Sequence, residues 1–243
     1  MKLGRRLLIG SAVFVVAFAA ANWWSRLNAF NYLDGDTDDF VASFAAPSPP
    51  GFAGTRVELD ELLELQRTRT KAQVEAAQAD RKKDVSRFYA ALGLPAKNAP
   101  DLPALHDLTD DVEDDIAPYI RAVKGRFRRL RPYEIEKRLK PCIGDVQGDM
   151  SYPSGHAAYG YVMAYLLEEL VPERRAELEA RADEFARQRL VCGVHFRSDL
   201  EAGRAGARML VELFDESPGF RADEAAAAQE LRAALKLPPR SSD

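Results

Sequence analysis

The chain opens with a charged start and a long apolar run. Lys2, Arg5 and Arg6 precede an uncharged stretch from Leu7 to Ala21. The small residues Ala19, Ala20 and Ala21 then end it before Asn22. A basic start, a short apolar middle and small residues at the end form the layout of a secretory signal peptide. At about 15 residues the run is short of the roughly 20 that span a bilayer. Extended through Trp23 and Trp24 it reads instead as an uncleaved anchor with tryptophans at the interface. No other stretch is apolar enough to cross a membrane, which excludes a multi-span enzyme.

Residues 22–55 show no period. Pro47, Pro49 and Pro50 stand close together among Ala, Gly, Phe and Asp, so an irregular arm is expected. From Val57 to Leu92, Leu62, Leu63, Leu65, Val74, Ala77, Val85 and Phe88 recur at helical spacing between charged residues. Leu94 to Pro100 is a break, and Leu102 to Leu130 reads as a second helical stretch. Pro132 to Met150 reads as a loop. Ser154 to Leu170 is again helical, with Tyr159, Val162, Met163, Tyr165, Leu166 and Leu167 on an apolar face. Pro172 suits the first turn of the next helix, which runs to about Val191. Two more follow, from about His195 to Phe214 and from about Ala222 to Leu235. There is no period-two strand pattern and no internal repeat. The fold expected is all-α, one helical bundle over residues 56–243.

Composition adds two constraints. Hydrophobic residues at 47% and charged residues at 30% suit a globular domain. A net charge of -4 argues against a nucleic-acid binder held by a diffuse basic surface. Basic residues are nevertheless concentrated at Lys124, Arg126, Arg128, Arg129 and Arg131. Arg126, Arg128 and Arg129 read as a solvated helix face, whereas Lys124 and Arg131 read as an anion site. The acidic run Asp110, Asp111, Glu113, Asp114 and Asp115 reads as a solvated face near a helix start, where carboxylates suit the dipole. In an exported chain the pair Cys142 and Cys192 permits a disulfide, worth about 4 kcal/mol on the chain-entropy model. Two buried thiols are the alternative, and neither cysteine has metal-ligand spacing.

The candidate chemistry lies in three segments. Lys124 and Arg131 are two helical turns apart, so they share a face if the helix reaches Arg131. Arg131 precedes Pro132 and is expected at the helix end, its guanidinium ready to fork onto two anionic oxygens. In Pro153-Ser154-Gly155-His156, Ser154 can cap the following helix and Gly155 lets backbone approach a ligand. The helix-start N–H groups then aim at an anion, with His156 beside it. In the third segment His195 and Asp199 are at i and i+4, expected as neighbours on one helix face. Asp199 can hold one ring nitrogen and leave the other an electron pair. Arg189 lies about 240° around an ideal helix from His195, so a break at Cys192-Gly193 is required to bring them together. His106, the third histidine, sits among Leu105, Asp107 and Leu108 and reads as structural.

In order and spacing the three segments resemble the signature of the phosphatidic-acid-phosphatase type 2 (PAP2) superfamily, which also holds vanadium haloperoxidases. Within it the chain is most similar to the bacterial class A non-specific acid phosphatases, exported all-helical enzymes. The likeness runs from about Val57 to Leu235, and both cysteines sit where that class places them. It departs at Gln188, where the pattern has Ser, and at Ala157, where class A members often have Thr.

The resemblance implies a PAP2-type helical bundle that hydrolyses small phosphomonoesters without a metal, with phosphotransferase activity open. It implies that His195 attacks phosphorus and Asp199 orients it. His156, expected charged while His195 is neutral, would protonate the leaving group. Lys124, Arg131, Ser154, Gly155 and Arg189 would hold the phosphate. Location in the periplasm or outside the cell is expected, with membrane contact only through an uncleaved N-terminal segment. Family members often assemble, so a homo-oligomer stays open. Two alternatives stand beside this reading: a vanadate-dependent haloperoxidase, and a phosphate-binding helical protein with a decayed site.

Overall fold

The computed structural model describes residues 30–95, 97–144 and 150–240. The signal-like segment at 1–21 lies outside them. Tyr32–Asp243 forms one compact unit. Its elements are α1 (Asp38–Ala42), α2 (Ala53–Thr68) and α3 (Lys71–Ala79), then a 3-10 turn (Val85–Phe88) leading into α4 (Tyr89–Leu92). They continue with α5 (Pro103–Phe127), α6 (Pro132–Ile135) and α7 (Gly155–Leu170). A 3-10 turn (Pro172–Arg174) opens α8 (Arg175–Val191), and α9 (Arg197–Asp215) and α10 (Pro218–Ala234) follow. Among the described residues there is no strand, as the all-α expectation required. None of the described helices is long and apolar enough to cross a membrane.

Helix α7 is the centre. Every residue from Ala157 to Ala164 is buried, which is where a helix apolar on all sides belongs. Helices α8 and α9 both pack on it. α8 contributes Leu178, Ala182, Phe185 and Leu190 to the core, and α9 contributes Ala207, Leu210 and Phe214. Helix α5 lies against α10 and α7. The start of α7 and α9 approach so closely at Gly203 that a Cβ there would stand 2.8 Å from the Ser154 carbonyl oxygen and 2.9 Å from Ala157 Cβ. That approach suits a residue no larger than alanine at 157, the position where the class A pattern has threonine.

Three expectations about the elements need correction. α5 stops at Phe127 because Arg128 adopts a left-handed conformation (φ 50°). Lys124 and Arg131 therefore come from different elements rather than one helix face, and Arg131 is the residue before α6. The acidic run lies in the middle of α5, not at its start, and Asp115 is buried. Its Oδ2 accepts from the backbone N–H groups of Tyr32 (2.8 Å) and Leu33 (3.0 Å). That anchors an arm which is more regular than its composition suggests. It contains α1, Phe40 packs on Tyr119 (5.4 Å between rings), and the Tyr152 hydroxyl donates to the Ala45 carbonyl at 2.9 Å.

Cys142 and Cys192, 50 residues apart, form a disulfide with Cα atoms 4.7 Å apart. It ties the segment after α6 to the end of α8. Arg69, just past α2, grips the same place by donating to the carbonyls of Val191 and Lys140, both at 2.9 Å.

Candidate active site

A cavity of about 320 Å³ opens at the N-terminus of α7. Lys124, Arg131, Gly155, His156, Arg189 and His195 all line it. The three sequence segments are thus brought together. Ile116, Ile120 and Ile143 form an apolar wall, with Lys83 and Arg121 as further cations.

The end of α8 delivers Arg189 and His195 to the same space as the required break predicts. α8 ends at Val191, Gly193 turns the chain at φ +67°, and α9 starts only at Arg197. His195 consequently precedes α9, so it is not one helix turn from Asp199 along a common face, which corrects the expectation. The two meet because Asp199 is the capping residue of α9. Its Oδ2 accepts from the Phe196 backbone N–H at 2.9 Å and lies 3.3 Å from His195 Nδ1.

These contacts fix the imidazole tautomer. Arg131 Nη1 lies 2.8 Å from His195 Nε2. A guanidinium only donates, so Nε2 carries the lone pair and Nδ1 carries the proton toward Asp199. His195, 3% exposed, is lowered to about 3 by burial and by the Arg131 and Lys124 charges, against the pull of Asp199. Burial disfavours the charged form of Asp199. The hydrogen bond from His195, the Arg129 cation and the Ser151 hydroxyl outweigh it and hold the carboxyl low.

His156 Nε2 donates to the Arg81 carbonyl at 2.9 Å, and its ring stacks on Phe185. Nδ1 is left to exchange a proton. Burial, followed by the Arg189 charge, lowers this histidine to about 3. The charged His156 expected during turnover is thus not the form favoured in the anion-free site. Desolvation and the surrounding cations favour its neutral form.

Arg189 is 1% exposed. Nη2 donates to the Ala77 carbonyl at 2.8 Å, while Nε and Nη1 are buried without a partner. A buried donor left unpaired is costly, and here two of them belong to a cation that lines a cavity. Lys124 Nζ donates to the Met150 carbonyl at 2.5 Å. Ser154 caps α7 by accepting from Ala157 N–H at 3.3 Å. Gly155 begins the helix, its first-turn N–H groups being ones a helix leaves unsatisfied. Gln188 is buried with Oε1 unpartnered. His106 Nε2 pairs with the Tyr89 hydroxyl at 2.7 Å, a structural role. Among the described residues no group of three or more His, Cys, Asp or Glu is placed to hold a metal.

Two site residues escaped the sequence reading. Arg129, expected on a solvated face, is buried and donates to Asp199 Oδ1 at 2.7 Å. Ser151 donates to Asp199 Oδ2 at 2.5 Å. Only the left-handed turn at Arg128 brings Arg129 inward, and no local pattern announces it.

A helical bundle whose cations and paired histidines converge on one helix start defines a class. Residues 116–214, the segment that bears Lys124 to Asp199, match the family model of the PAP2 superfamily. Among individual proteins, the non-specific acid phosphatase of Providencia stuartii is 33% identical over 140 residues, 55% of each chain. The non-specific acid phosphatase of Salmonella typhimurium is 28% identical over 200 residues, covering 78% of this chain and 80% of that protein. The chain thus spans about half the length of the Providencia relative and most of the Salmonella one. Two solved structures share the fold. A transmembrane PAP2-type phosphatidylglycerolphosphate phosphatase from Bacillus subtilis has a TM-score of 0.51 at 16% identity, covering 69% of this chain and 88% of that one. A bacterial vanadium-dependent iodoperoxidase has 0.56 at 18%, covering 73% and 53%.

Proposed function

We propose that this chain is an exported acid phosphatase that hydrolyses small phosphomonoesters through a phosphohistidine. The observation that carries the reading is Arg189, a buried cation with two unpaired donors that lines the same cavity as His195. A phosphate dianion supplies acceptors for those donors. The relatives named as acid phosphatases supply the reaction class.

In the proposed cycle His195 Nε2 forms a bond to phosphorus as the bond to the leaving oxygen breaks. Arg131 turns from Nε2 to a phosphate oxygen. Asp199 stabilises the imidazolium-like ring, now substituted at Nε2 and still protonated at Nδ1. His156 takes up a proton when the dianion enters, gives it to the leaving alkoxide, then removes one from the water that releases phosphate. Lys124, Arg131, Arg189, the Ser154 hydroxyl and the Gly155 N–H offset the charge that a metal offsets in other phosphoryl-transfer sites. No metal is required on this reading.

The test is turnover of p-nitrophenyl phosphate with EDTA present, beside halide oxidation with vanadate. Phosphatase turnover abolished by His195→Ala supports the proposal. Haloperoxidase activity alone, or turnover indifferent to His195→Ala, defeats it.

A further inference from the structure

We infer that Arg129, braced by Glu58 of α2, is a positioning residue that keeps His195 neutral and correctly aimed. This deepens the function proposed above and rests on it for its kinetic arm only.

Arg129 occupies the connector between α5 and α6, with its side chain 4% exposed. Nη1 donates to Asp199 Oδ1 and to Ser198 Oγ, both at 2.7 Å. Nη2 donates to Glu58 Oε2 at 2.9 Å. The guanidinium lies 3.8 Å from the ring centroid of Phe196, the residue between His195 and α9. Arg129 also acts through its backbone. Its carbonyl accepts from Ser151 N–H at 2.8 Å, and the Ser151 hydroxyl reaches Asp199 Oδ2. One residue therefore holds Asp199 at both oxygens, directly and through Ser151. Glu58 completes the brace, since Oε1 accepts from the Ser198 N–H at 2.7 Å.

The charges along this line alternate: Glu58 negative, Arg129 positive, Asp199 negative, then His195. An isolated buried carboxylate beside an imidazole draws a proton onto the ring. A protonated ring has no lone pair for attack. Arg129 neutralises much of that pull and spends one Asp199 oxygen, leaving Oδ2 to orient Nδ1–H. The other charged and titratable groups around His195 are Lys124 of α5, Arg131 before α6, His156 of α7 and Arg189 of α8. Arg131 and Lys124 oppose ring protonation by their charge, whereas Arg129 acts on the carboxylate itself, at Asp199 Oδ1.

The test uses the full chain and reads the ring directly. In 15N NMR of the His195 imidazole, the wild type should show the Nδ1–H tautomer and titrate well below ordinary histidine. Arg129→Met should raise ring proton affinity at least tenfold, and Arg129→Lys, which keeps charge but not the fork, should raise it less. Arg126→Met, an exposed cation of α5, serves as the control. In kinetics, the acid limb of kcat/KM should move to higher pH in Arg129→Met, with kcat down at least tenfold and KM nearly unchanged. A purely structural Arg129 would lower activity without moving the titration. Unchanged His195 titration in folded Arg129→Met or Arg129→Lys overturns the inference. Absent phosphatase turnover in the wild type defeats the functional proposal alone, because the NMR arm needs no turnover.

Discussion

Replacing Arg189 by methionine separates binding from folding. The side chain is buried in the core between α8 and α3, so routine expectation is severe destabilisation. Breaking a satisfied buried ion pair costs about 3–5 kcal/mol. Arg189 is not satisfied: Nε and Nη1 have no partner, and its pKa is lowered to about 10, mainly by burial. Removing each unpaired donor returns about 1–3 kcal/mol, while freeing the Ala77 carbonyl costs a comparable amount. Two donors return about 2–6 kcal/mol against about 1–3 kcal/mol for one carbonyl, so even with the packing lost the anion-free variant should be no more than about 2 kcal/mol less stable than wild type. For a chain of this size that is a Tm change of no more than about 8 °C. Ligand response is where the loss should show. Phosphate at 100 times its Kd stabilises a native protein by about 2.7 kcal/mol, and Arg189→Met should lose most of that increment. The assay is thermal unfolding with and without phosphate, alongside phosphatase turnover. A variant that unfolds far more readily yet keeps the full phosphate response would refute the account and make Arg189 a structural residue.

Three further outcomes are expected. Both His195 and His156 sit at about 3 in the anion-free fold, so the unfolded chain binds more protons below pH 6.5. Stability present above that pH should fall toward pH 3, by up to about 1.4 kcal/mol per pH unit per histidine. Urea midpoints in phosphate-free buffer should show this slope, shallower in His195→Gln; equal slopes would contradict the assigned environments. Gly203→Ala places a Cβ 2.8 Å from the Ser154 carbonyl oxygen. It should cost about 1–3 kcal/mol and depress turnover by displacing the start of α7; wild-type activity and Tm would show that the helices part freely. Reducing the Cys142–Cys192 bond should destabilise by about 4 kcal/mol, read as a lower Tm in dithiothreitol, and no change would mean the bridge constrains little in the unfolded chain.

The parts of this architecture set by local chemistry were legible from residue order. The Ser154 cap and apolar length of α7 predict its span, and the geometric need to join Arg189 to His195 predicts the break at Gly193. The parts set by turns were not. Arg126, Arg128 and Arg129 look alike as sequence. Arg128 is exposed and Arg129 is buried because one left-handed residue ends α5 and redirects the next side chain. Spacing alone placed His195 and Asp199 on one helix, whereas capping brings them together. Asp115 looked like part of a solvated acidic stripe because its partners, the N–H groups of residues 32 and 33, lie more than 80 positions away.

The cap formed by Asp199 has a consequence for how this site can change. Phe196 N–H depends on Asp199 at the start of α9, a helix packed on α7. Loss of this carboxylate, on the third residue of the helix, leaves the buried Phe196 N–H unpaired at about 1–3 kcal/mol before any effect on the histidine is counted. A substitution at 199 is therefore exposed to selection for folding even where the reaction is no longer needed. The orienting carboxylate should be among the last of the site residues to drift away, and Arg189, whose removal relieves unpaired donors, among the first.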